Sequence, residues 1–199
     1  MGSSVIFDII TSTVIAGFLF LIILSLNGAV ANATFTSSNE LTVQENLVTL
    51  VQIAENDFRL LGWCDDPSKI ADPTKAVREA TKYKIKFLTD LPPLGSLDSI
   101  SYYFDTTALA ANTPNPRDRI LFRTINTQTP QRLYLGLTQF EFKFYNSSGT
   151  RIPFPITKPS EIVEMELSIT CESPAAYDTT YSYAYWKQLR LTSRNLRNR

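Results

Sequence analysis

From Ile9 to Asn39 the chain carries no charged residue, and the stretch Ile9–Leu26, IITSTVIAGFLFLIILSL, is almost wholly apolar. Wound as a helix rising about 1.5 Å per residue, such a stretch matches a bilayer hydrocarbon core of about 30 Å. A segment of this kind needs lipid or packed protein around it, and that requirement limits every other reading of the chain. Asp8 directly precedes the run and reads as a capping acid at the membrane surface, where a helix N-terminus tolerates a carboxylate.

A secretory signal peptide is the competing reading, because Ala31-Asn32-Ala33 has the small-x-small form of a cleavage site. Two features argue against it. The first basic residue is Arg59, so no basic region precedes the apolar run, and the run is longer than a usual signal core. A retained, uncleaved helix is therefore expected. Charge rules give no orientation, since they lose force when a long domain follows the span.

A second helical segment follows. Ser37–Glu40 has the S-x-x-E form of a capping box, after which Val43, Leu47, Leu50, Ala54, Phe58 and Leu61 recur at spacings of three and four. Gly62 is placed to end that helix. The predicted order is an apolar helix, a short polar break or bend, and an amphipathic helix. The corresponding divisions are 1–33, 34–62, and a β-sheet domain over 63–199.

That last region is rich in period-two alternation: Lys82–Leu88, Ser99–Asp105, Arg119–Ile125, Arg132–Tyr145, Glu161–Cys171 and Tyr181–Leu191. Phe140, Phe142 and Phe144 share one face while Glu141 and Lys143 share the other, as half-buried antiparallel strands require. Asn146–Gly149 reads as a turn, and Asn112–Arg117 and Pro153–Pro159 as loops. An amphipathic helix needs an apolar surface, which an antiparallel sheet supplies, so the expected fold is α+β with the helix across one sheet face.

Composition bears mainly on function. With 199 residues, 44% of them hydrophobic, the chain can bury one sizeable core. Lys+Arg and Asp+Glu both number 19, so no overall field favours nucleic acid. Histidine is absent, which excludes histidine-dependent triads and His-ligated zinc. No activated nucleophile or paired-carboxylate motif stands out, and no catalytic residue, cofactor or metal is expected. Asp65, Asp66 and Asp72 in Trp63–Lys75 have oxygen ligands suited to calcium but lack EF-hand spacing, and read as a solvated loop. Cys64 and Cys171 are the only cysteines. In an exported protein they are expected to pair, closing a long loop for about 4–5 kcal/mol in the chain-entropy model; the alternative is two buried, reduced thiols.

The order of elements resembles that of type IV pilins and pseudopilins, closest to minor, PilW-like and J-type members. Four segments carry the likeness. Val51–Trp63 is similar to the family's helix-ending segment, with an acid and an Arg before a Gly-aromatic turn. Asp98–Asp105 is similar to its sheet-opening strand, Leu137–Gly149 to its central hairpin, and Leu191–Leu196 to its Arg-Asn ending. The family usually has a basic leader ending in Gly and a Glu at the fifth mature position. Here Gly2 precedes Ser3 without basic residues, and the fifth position from Ser3 is Phe7, with Asp8 one place on. The resemblance implies a structural subunit of a filament, tip complex or secretion-type assembly, in which Asp8 is the candidate inter-subunit pairing group. It further implies membrane lipid and other pilin-like subunits as partners in a hetero-oligomer, and a single-pass inner-membrane protein with a periplasmic domain, or an extracellular filament. A different reading is a signal-anchored periplasmic or surface β-domain holding a glycan or peptide through Tyr177, Tyr181, Tyr183, Tyr185 and Trp186.

Overall fold

The computed structural model describes residues 2–70, 72–91, 96–111, 113–175 and 180–191. Asn112, Tyr177 and residues 192–196 of the Arg-Asn ending lie outside the described residues. The chain forms two compact units, Met1–Asn39 and Glu40–Arg199.

The architecture is α+β: one long helix, α1 (Gly2–Arg59), then antiparallel strands. The break expected at Ser37–Glu40 does not occur, and the capping box lies inside a continuous helix. The reason is local: no Gly or Pro stands between Gly28 and Gly62, and Ser and Asn cost a helix interior only a few tenths of a kcal/mol.

In the second unit, Val43, Leu47, Leu50, Ala54 and Phe58 are buried, as their spacing predicts, and so is Leu61. The helix ends in a tightened turn, with Leu60 N–H donating to Asp57 O at 3.1 Å and Leu61 N–H to Phe58 O at 3.2 Å. Gly62 then takes φ 69°, a left-handed conformation that costs glycine little. Its N–H donates to Leu88 O at 2.8 Å, which fastens the helix exit to a strand.

The strands are β1 (Val77–Ala80), β2 (Lys84–Asp90), β3 (Leu97–Leu109), β4 (Arg119–Ile125), β5 (Gln131–Leu133), β6 (Leu137–Tyr145), β7 (Glu164–Glu172) and β8 (Tyr183–Leu191). They form two sheets, ordered β1-β2-β3-β4-β5 and β6-β7-β8, with every pairing antiparallel. Two sheets arise because the alternating run Arg132–Tyr145 is not one strand. At Gly136 (φ 65°) the chain leaves the first sheet for the second, and a Cβ there would stand 2.3 Å from Glu172 O. Only glycine fits so close to another backbone.

Both sheets face one core. Phe58 lies against Phe87 of β2 and Tyr102 of β3 in the first sheet, at 5.8 and 5.2 Å between ring centroids, and against Phe142 of β6 in the second at 5.8 Å. Phe140, Phe142 and Phe144 are all buried, which bears out the face assigned from alternation.

Candidate functional site

The first unit is the feature that needs explaining. From Gly2 to Phe35 every residue is exposed, including Phe7 at 67% and Phe18 at 64%. The helix is long and apolar enough to cross a membrane, and none of its most apolar window is buried. Fully burying one Leu, Ile or Phe is worth about 1.5–3 kcal/mol. A run of such side chains left in water would therefore forfeit tens of kcal/mol, which marks it as a contact surface.

Three of its threonine hydroxyls are arranged for a dry setting. Thr11 Oγ1 donates to Phe7 O and Thr13 Oγ1 to Ile9 O, both at 2.8 Å, and Thr34 Oγ1 donates to Val30 O at 2.9 Å. Each hydroxyl is thus satisfied by its own helix, which lets threonine face hydrocarbon. Asp8 lies within α1. Among the described residues the helix begins at Gly2, and its first turn holds no acid.

A second constellation, in the C-terminal unit, was not legible as a site. Asp57 sits on the apolar stripe and is buried, and its carboxylate accepts from three donors. Tyr102 OH reaches Oδ2 at 2.5 Å; Arg123 Nε reaches Oδ2 at 2.6 Å and Nη2 reaches Oδ1 at 2.9 Å. Tyr102 of β3 and Arg123 of β4 are register partners, so adjacent strands aim both side chains at one helical carboxylate. Burial, and then the charge of Asp57, push the Tyr102 phenol well above its usual range, and the Asp57 hydrogen bond raises the Arg123 guanidinium. Tyr102 therefore stays neutral and donating. This is a lock between helix and sheet. The sequence signal was one acid falling on a stripe of apolar positions.

The two cysteines do not pair, which corrects the expected disulfide: Cys64 and Cys171 are both free. Cys64 follows the helix-ending turn, its thiol donating to Asp66 O at 2.9 Å and lying 3.9 Å from Asp90 Oδ2. Cys171 instead lies in the second sheet on β7, between Leu137 and Ala184, where burial pushes its thiol up to about 12. Each thiol thus belongs to its own local packing.

The acidic loop is likewise spent locally. Asp66 Oδ1 accepts from Ser68 N–H at 2.9 Å; Asp72 Oδ1 accepts from Thr74 N–H at 3.0 Å, and Lys75 approaches Asp72 at 3.3 Å. Among the described residues no group of three His, Cys, Asp or Glu could hold a metal. Of the aromatics of the binding-module reading, Trp186 packs on the core and Arg117 lies 4.8 Å over the Tyr181 ring. Tyr183 and Tyr185 remain outward, at 73% and 53% exposed.

A cavity of about 270 Å³ is lined by Asn46, Thr113, Asp118, Arg119 and Tyr134 among others. Thr113 donates to Asp118 Oδ2 at 2.5 Å, while Oδ1 is buried without a partner. Burial raises the Asp118 carboxyl above its ordinary value. A raised folded value means that Asp118 adds stability only when protonated, and that its contribution is lost as pH rises through that value. Asp118→Asn is therefore expected to raise Tm at pH 7. The gain should vanish towards about pH 4, the ordinary carboxyl range; a pH-independent change would contradict this.

No known family, curated protein or solved structure matches the chain. What the structure defines is a class: an apolar N-terminal helix followed by antiparallel sheets, an arrangement compatible with a pilin-like fold.

Proposed function

We propose that this chain is a structural subunit of a pilin-like, membrane-anchored assembly, a filament, tip complex or secretion-type machine, with no catalytic role and no cofactor. The observation that carries the reading is the wholly exposed apolar surface of Gly2–Phe35. Lipid covers it before assembly, and the apolar helices of other pilin-like subunits cover it afterwards. The C-terminal unit then lies across the inner membrane, in the periplasm or on an extracellular filament. Purification from native membranes tests this: other chains with an apolar N-terminal helix should co-purify, and a lone soluble monomer would overturn the proposal.

Asp8 supplies the inter-subunit contact. A carboxylate facing lipid without a partner costs about 2.5–3.5 kcal/mol at a span's centre and less near the interface. A donor on a neighbouring subunit removes that cost. Asp8→Asn is expected to leave membrane insertion intact while reducing the recovery of partner chains. Undiminished recovery would count against the pairing.

Tyr183 and Tyr185 are the observation favouring the second reading, a surface β-domain that holds a glycan or peptide. On that reading, replacing both with Ser abolishes ligand capture and leaves partner recovery unchanged.

A further inference from the structure

The chain contains two Asn-x-Ser/Thr sequences without an intervening proline, Asn32-Ala33-Thr34 and Asn146-Ser147-Ser148. Their settings differ in every respect that matters for chemistry at the asparagine. Asn32 lies inside α1, and the Thr34 hydroxyl is already donated to Val30 O at 2.9 Å. Asn146 lies in the turn that follows β6, where Ser147 and Ser148 are exposed and Gly149 (φ 74°) completes the reversal. There the acceptor and its hydroxyl are joined: Asn146 Oδ1 accepts from Ser148 Oγ at 2.7 Å, from Ser148 N–H at 3.1 Å and from Thr150 N–H at 2.9 Å. Three donors on the carbonyl oxygen fix the plane of the amide. Among the described residues no acceptor takes a hydrogen bond from Asn146 Nδ2.

We infer that Asn146 is a glycosylation site, modified on Nδ2 by an oligosaccharide supplied from a polyisoprenyl-diphosphate carrier. The inference rests on the proposed export of the C-terminal unit, since that is where such a transfer meets the chain. Nδ2 attacks the anomeric carbon of the first sugar, and a C–N bond forms. The bond between that carbon and the phosphate oxygen breaks, the lipid diphosphate leaves with the electron pair, and the amide proton passes to a base of the transferase. Nothing is oxidised or reduced. The product would stand beside Ser147 and Ser148, both exposed.

The test uses the full chain isolated from membranes of cells that naturally make it. Tryptic cleavage after Lys143 and Arg151 isolates the turn, and its mass reports modification. In parallel, protoplasted cells are treated with a membrane-impermeant lysine reagent, for which the exposed Lys158 is a target. The expected result is labelled lysine together with a hexose-containing mass on Asn146. That mass should be lost in Ser148→Ala, kept in Ser148→Thr and unaffected by Asn32→Gln. Labelled lysine with a bare Asn146 overturns the modification alone. Unlabelled lysine overturns export, and the modification with it.

Discussion

Replacing Arg123 with Ala is expected to cost about 3–5 kcal/mol, the usual penalty for removing one partner of a buried ion pair. The substitution leaves the Asp57 carboxylate buried with only the Tyr102 hydroxyl, although it normally accepts two further bonds at 2.6 and 2.9 Å from the guanidinium. Denaturant unfolding of the full chain in detergent, followed by tryptophan fluorescence, measures the loss. Tyr102→Phe should cost less, about 1–3 kcal/mol, because the stronger charged pair survives. Arg123→Lys should fall between wild type and Ala, since a lysine keeps the charge but not the two-pronged geometry. A loss under about 1 kcal/mol in Arg123→Ala would contradict the lock, as that is the range of exposed pairs.

Phe58→Ala should be comparably severe, at about 3–5 kcal/mol. Phe58 is fully buried and its ring touches aromatic side chains from both sheets, so truncation opens a cavity where helix and two sheets meet. Surrounding backbone in regular strands cannot close in freely to fill it. Phe58→Leu should recover much of the loss, because it keeps most of the volume. If Ala were tolerated as well as Leu, the helix would not be packed on the sheets as described.

These two positions also mark where sequence reading succeeded and where it stopped. Phe58 was predicted as core because helical spacing is a property of neighbouring residues alone. Alternation likewise located β4 with the same bounds and assigned the Phe140–Phe144 face. Asp57 was missed because its burial depends on Tyr102 and Arg123, which lie far along the chain and meet it only after β3 and β4 have paired. β1 was missed because it has four residues and a bulge between Val77 and Glu79, which breaks the period of two. The long run Arg132–Tyr145 concealed a change of sheet, since alternation does not reveal that Gly136 lies against the Glu172 backbone. The disulfide expectation rested on counting cysteines, and a count contains no geometry. At Ser37–Glu40 a cap signal was present, but helix continued through it where no breaker intervened.

We propose that residues 3–39 remain part of the mature chain and are covered by lipid or by neighbouring helices. The most direct measurement is intact mass spectrometry of the protein extracted by detergent from alkali-washed native membranes. A membrane-retained species whose mass includes the residues before Thr34 is expected; a start at Ser3 would add leader processing of the prepilin kind and keep the anchor. A mature form beginning at Thr34 and released by the alkaline wash would contradict the account.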